Sequence, residues 1–192
     1  MTMATSGFSL FDTAIGRCGI AWGEHGIYGV QLPEANDHAT RVRLRRPAGA
    51  QEALPPPAVQ CVIDAVVALL RGERCEPDVL GAAPLDMQGV PPFNRRVYEV
   101  TRAIAPGATL TYGEVAARIG EPGAARAVGQ ALGHNPFAPV VPCHRVLAAG
   151  SGAGGFSARG GVTTKLRMLL IEGAAFGAPG LFDAPDAREK SL

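Results

Sequence analysis

Cys143 and His144 stand next to each other in the run Pro142-Cys143-His144-Arg145-Val146. A thiolate is a strong nucleophile, and an adjacent imidazole can take the thiol proton at neutral pH. The proline restricts the backbone before the thiol, and Arg145 adds positive charge after it. Val140-Val141 precedes the run as a short apolar stretch, and a glycine-rich segment follows it. A single cysteine is more often a small buried hydrophobe than a reagent. Reactivity therefore depends on what surrounds Cys143.

The segment before it supplies positioning elements. Thr111-Tyr112-Gly113-Glu114 fits a capping box, in which Thr111 caps a helix and Glu114 reaches back to it. That helix runs through Val115 and Ile119 and stops at Gly120. Glu121-Pro122-Gly123 makes a tight turn. A second helix spans Ala124 to Leu132, with Gly133 as its C-terminal stop. Two short helices joined this way predict a helix-turn-helix. Arg126 is the one long cation on the second helix, among Ala124, Ala125 and Ala127. Small side chains let a helix lie close to a groove while the arginine reaches in. Taken alone, such a pair is more often an ordinary helical hairpin with a solvated arginine.

The rest of the chain divides near Pro91-Pro92, into residues 1–90 and 91–175. Gly7 to Phe11, Cys18 to Trp22 and Ile27 to Leu32 read as a strand meander. Residues 33–57, including Arg41-Val42-Arg43-Leu44-Arg45-Arg46, read as a solvated connector. Val59, Val62, Ile63, Val66, Leu69 and Leu70 recur at helical spacing, so a helix covers the sheet. Leu85 to Gln88 is expected as an edge strand. Phe93, Val97, Val100 and Ile104 share one face of a further helix, ended by Pro106-Gly107. A last helix is expected from Thr163 to Glu172, with Gly173 as its stop, and residues 176–192 as a mobile tail.

Composition narrows the classes. The 192 residues are 47% hydrophobic, enough for a packed core, and no apolar run has transmembrane length. The start lacks the basic and apolar regions of a signal peptide, which points to the cytoplasm. Cys18, Cys61, Cys75 and Cys143 are irregularly spaced, and His25, His38, His134 and His144 form no ligand cluster, so no metal or disulfide framework is expected. The net charge of +1 conceals a balance of −3 over residues 1–92 against +5 over residues 93–175. The basic excess lies with the hairpin and the thiol, which suits phosphate contact.

Together, Tyr112, Ala124-Ala125-Arg126-Ala127-Val128-Gly129, Asn135-Pro136, Pro142 to Val146 and Glu172-Gly173 resemble the 6-O-alkylguanine-DNA alkyltransferases. The motifs occur in the family's order at compatible spacing across about residues 91–175. Residues 1–90 are similar only in general plan. The resemblance implies an α/β (α+β) chain. Its small N-terminal domain is ribonuclease-H-like, a sheet with helices. Its second domain is mainly helical and winged-helix-like, and contains the helix-turn-helix.

The resemblance also implies direct-reversal repair of double-stranded DNA by a monomer that needs no cofactor. Cys143 is the single-use alkyl acceptor. His144 is its base through a water, Glu172 orients His144, and Asn135 ties the turn holding the thiol. Tyr112 donates a proton to the leaving guanine. Arg126 fills the space left by the flipped-out base, and the small Ala124, Ala125 and Ala127 let their helix enter the minor groove. Val146, Phe156, Ser157 and Lys165 belong to the substrate pocket, Lys165 being equally readable as solvated. Some relatives carry a structural zinc in the N-terminal region, for which no ligand set matches here. Phe156 replaces a tyrosine common in relatives, the following loop is about two residues longer than usual, and Arg159 is an added cation read as facing water.

Two rival classes are weaker. A cysteine hydrolase usually keeps its base far along the chain rather than adjacent. A non-catalytic lesion-binding or regulatory protein would keep Arg126 without requiring Cys143.

Overall fold

The computed structural model describes residues 6–44, 50–73, 78–150 and 152–175. Cys75, Arg45, Arg46 and the 176–192 tail lie outside them.

The N-terminal meander forms as expected. Strands β1 (Gly7–Thr13), β2 (Gly16–Gly23) and β3 (Gly26–Gln31) pair antiparallel. Gly16 makes the first hairpin possible, because its φ of 127° excludes a side chain. A short β4 (Gln51–Glu52) joins β1 in parallel, giving the order β3-β2-β1-β4. Helix α2 (Pro57–Leu69) covers one face, and its periodic Val59, Val62, Ile63 and Val66 are buried against Ile20 and Trp22.

Residues 33–57 are more than a connector. They contain helix α1 (Asp37–Leu44) as well as β4. The basic composition hid the helix, because only Thr40 and Leu44 turn inward, while the arginines find acids. Arg41 pairs with Glu52 at 2.9 Å, and Arg43 with Glu34 at 2.8 Å. Leu85 does not begin a strand; it makes an isolated bridge to Ile27, next to the short helix α3 (Asp78–Ala82).

Helix α4 (Pro92–Arg102) opens the second half, with Val97 and Tyr98 buried. Strand β5 (Leu110–Thr111) leads into α5 (Tyr112–Arg118), where both hydrogen bonds of the Thr111–Glu114 capping box are present. Gly120, at φ 80°, ends this hairpin arm as expected. Helix α6 (Ala125–Gly133) continues through Gly133 to a cap at His134, so Gly133 is not the stop. A 3-10 turn (Cys143–Arg145) leads to β6 (Val146–Leu147), parallel to β5. Helix α7 (Val162–Ile171) closes the described chain.

The two halves interlock. Val140 and Met168, from the second half, are buried in the core of the first. The Val30 N–H donates to the Pro136 carbonyl at 2.8 Å, so β3 is hydrogen-bonded to the turn that leads to Cys143.

Candidate active site

Cys143 begins the 3-10 turn and is 6% exposed. Asn135 holds the segment before it: its Nδ2 donates to the Val141 carbonyl at 2.8 Å, and its Oδ1 accepts from the Phe137 N–H at 3.0 Å. The side chain thus spans the loop from both ends, which fixes the thiol's approach. Burial pushes the Cys143 thiol up, while Asn135, Lys165 and nearby N–H groups pull it down. Burial is the largest of these, so the thiol is protonated at rest. A neighbouring imidazole and cation ordinarily lower a thiol, and here burial reverses that direction.

His144 is fully buried. Its Nε2 lies 2.8 Å from Glu172 Oε1. Burial pushes the imidazole down, against the opposing pull of Glu172. Glu172 caps the C-terminus of α7 and its side chain is 3% exposed. Burial alone would raise this carboxyl, but hydrogen bonds from His144 and Arg145 outweigh it and hold it at about 2. An ionised Glu172 accepts from Nε2–H, so Nδ1 of neutral His144 carries the lone pair. That Nδ1 is buried, and among the described residues it bonds to no protein atom. The residue next to Cys143 in the chain thus carries a buried proton acceptor with no protein partner among the described residues.

Arg145 is the residue that motif reading left without a role. Its Nε and Nη2 both reach the Glu172 carboxylate at 2.8 Å, and its Nη1 donates to the Ile104 carbonyl. It is buried, and it ties three elements together: the thiol turn, the end of α4 and the end of α7. The available signal was an arginine inside the apolar run Val140 to Leu147, where a charge must be paired.

An opening to the outside also reaches Cys143. A cavity of about 520 Å³ is lined by Tyr112, Ala125, Arg126, Phe156 and Ser157, and reaches Cys143. Burial pushes the Tyr112 phenol up, so it keeps its proton and can donate it. Its hydroxyl is 3.4 Å from the Gly155 carbonyl. Arg126 is exposed on α6, while Ala124 and Ala127 are half-buried beside it.

Val146 and Lys165 do not line this cavity, contrary to expectation. Lys165 is fully buried rather than solvated, and its Nζ turns into the Val146 carbonyl at 2.6 Å and that of Gly155 at 3.3 Å. Burial pushes this amine down to about 8. The lysine braces the pocket wall from behind, 5.6 Å from the Tyr112 ring centre. Arg159 is exposed, as expected of a residue facing water. Its Nη1 reaches the Glu34 carbonyl at 3.3 Å, linking the longer loop to the first half. Among the described residues, no three His, Cys, Asp or Glu side chains gather as metal ligands.

The fold and site define a protein that keeps a buried cysteine, with a buried His–Glu pair next to it in the chain, behind a helix-turn-helix. Residues 92–174 match the family described as 6-O-methylguanine DNA methyltransferase, DNA binding domain. A methylated-DNA–protein-cysteine methyltransferase of Methanothermobacter thermautotrophicus is 37% identical over 157 residues, covering 82% of this chain and 80% of that protein. The namesake protein of Mycobacterium tuberculosis is 44% identical over 117 residues, covering 61% of this chain and 67% of its own. The crystal structure of Mycobacterium tuberculosis OGT in complex with DNA superposes with a TM-score of 0.69 at 34% identity, over 86% of this chain and 92% of that one. The chain belongs to the 6-O-methylguanine DNA methyltransferase family.

Proposed function

We propose that this chain repairs DNA by moving the alkyl group of a 6-O-alkylguanine, chiefly methyl, irreversibly onto Cys143. The observation that carries this reading is the buried series Cys143, His144, Glu172 at the back of a cavity whose mouth holds Arg126. His144 Nδ1 takes the thiol proton, through a water. The Cys143 sulfur then forms a bond to the alkyl carbon as the carbon–O6 bond breaks. Tyr112 gives its proton to the departing guanine. Glu172 stabilises the imidazolium that results, as the orienter of a nucleophile–base pair does.

The guanine must leave the duplex to reach a sulfur this deep. Arg126, on the exposed face of α6, is placed to fill the gap, with Ala124, Ala125 and Ala127 allowing close approach to the minor groove. Residues 1–90 support the site and residues 91–175 carry it. A thioether is stable, so each molecule acts once, as a cytoplasmic monomer needing no cofactor.

Intact and peptide mass analysis after incubation with duplex DNA containing 6-O-methylguanine tests this. One methyl per protein, located on Cys143 and abolished in Cys143→Ala, is the expected result. Multiple turnover, or methyl confined to another cysteine, contradicts it.

A further inference from the structure

Glu172 closes α7, and a glycine turn from each half of the molecule approaches the backbone around it. The N–H groups of Gly173 and Ala174 donate to the Leu170 and Leu169 carbonyls, so the carbonyls of Ile171 and Glu172 lie beyond the helix's own hydrogen bonds. Gly72 stands against the first of these. A methyl group on it would meet the Ile171 oxygen at 2.9 Å, with Ile171 Cγ2 at 3.7 Å. Gly107 stands against the second, where a methyl group would meet the Glu172 oxygen at 3.1 Å. Both glycines have left-handed backbone, φ 77° and 81°, which side chains disfavour.

The turns are tied more firmly than the helix end they touch. Gly72 and Glu73 donate to the Leu69 and Ala68 carbonyls at 3.0 Å, so their turn is bonded to α2, whose apolar face is buried in the first core. The turn at Gly107 is closed by the Ala108 N–H on the Ala105 carbonyl at 3.1 Å, and Arg145 holds the Ile104 carbonyl just before it. In the last turn of α7, by contrast, Leu170 is 61% exposed. The Ile171 carbonyl is joined through its peptide bond to Glu172. Displacing it therefore carries the carboxylate away from His144 and Arg145, which it meets at 2.8 Å.

We infer that Gly72 and Gly107 are positioning residues for the proposed alkyl transfer: they hold the end of α7 where Glu172 can orient His144. The inference rests on that transfer and gives the first half, through Gly72, a direct part in the strength of the base. Neither glycine lines the cavity at Cys143.

The test compares Gly72→Ala and Gly107→Ala with Gly89→Ala. Gly89 has the same left-handed backbone, φ 73°, and nothing within 4 Å of an added methyl group, so it shares the strain and lacks the contact. Single-turnover transfer from free 6-O-benzylguanine is measured for each, alone and combined with Glu172→Gln, at a temperature where the proteins are folded. Gly72→Ala should slow transfer at least fivefold and Gly107→Ala at least threefold, with Gly89→Ala within twofold of wild type. In the Glu172→Gln background the same substitutions should change the rate less than twofold, because an effect that acts through Glu172 vanishes in the double-mutant cycle. In protein carrying isotope-labelled histidine, the His144 Nε2–H proton signal should move upfield in both variants as its bond to Glu172 lengthens. Gly107→Ala, with the longer contact, carries the test if Gly72→Ala does not fold. Equal slowing with and without Glu172 makes the glycines general supports and overturns the assignment, as does slowing matched by Gly89→Ala or an unmoved His144 signal. If neither variant folds while Gly89→Ala does, the turns are folding elements and the assignment falls. A wild type that leaves 6-O-methylguanine in duplex DNA untouched removes the proposed transfer, and the His144 signal then decides the positioning by itself.

Discussion

Glu172→Gln should remove the charge on which both the buried pairing and the base depend. The wild-type carboxylate accepts hydrogen bonds from His144 Nε2 and from Arg145 Nε and Nη2, all at 2.8 Å, with a side chain 3% exposed. A carboxyl held at about 2 against an ordinary 4.5 contributes about 3 kcal/mol at neutral pH. Breaking a buried ion pair, which leaves Arg145 charged and unmatched, costs ~3–5 kcal/mol by a separate route. The two figures agree. For a chain of this size the loss lowers Tm by roughly 6–12 °C.

The sign of the pH dependence follows from the depressed carboxyl. Its stabilisation is complete above pH 4.5 and disappears as pH falls from 4.5 towards 2. The glutamine variant has no such carboxyl to protonate. Denaturant unfolding of both proteins at several pH values should therefore show a gap of about 3 kcal/mol at pH 7 that narrows between pH 4.5 and 2. At a temperature where both proteins are folded, transfer from free 6-O-benzylguanine should slow at least about 10-fold, since a general base is worth ~100-fold or more. A gap under about 1 kcal/mol at pH 7 would refute the pairing energetics. An unchanged free-base rate would refute the orienting role.

Arg126→Ala should impair repair of duplex DNA by about 1–3 kcal/mol and spare reaction with the free base, since only the duplex needs its vacated space filled; equal loss on both substrates would make Arg126 a support of the pocket. Iodoacetamide should label Cys143 slowly at pH 7 and faster towards pH 9, because burial holds the thiol up; peptide mass analysis reads the site, and rapid labelling at pH 7 would contradict a protonated resting thiol. Lys165, held at about 8 against an ordinary 10.5, opposes folding while it is charged. Wild-type stability should therefore rise as pH increases from 8 to 10.5 relative to Lys165→Met, and parallel curves in denaturant unfolding would rule this out.

Much of the local structure could be read from residue order. The Thr111–Glu114 capping box, the glycine after α5 and the apolar face of α2 are signals carried by neighbours within a turn or two. Helix α1 was missed for the same reason: its burial is confined to Thr40 and Leu44, too few to create a periodic pattern among arginines. The fate of those arginines was also unreadable, since Glu52 and Glu34 reach them only after β4 and the end of β3 are placed.

The sequence by itself determined which residue types stand around the thiol, their order, and the helix-turn-helix that presents Arg126, because these depend on local propensity and spacing. Only the tertiary structure decided their electrical states. Cys143, His144 and Lys165 are displaced from their ordinary titration by burial, a property of the whole packed molecule. Glu172 lies 28 residues beyond His144. It becomes a buried, ionised partner because α7 folds back onto the thiol turn, where Arg145 as well as His144 meets it. A groove beside Cys143 is likewise absent from either half alone: it exists because β3 and α1 stand opposite the Asn135 turn, and contacts so distant in sequence leave no periodic trace in the chain.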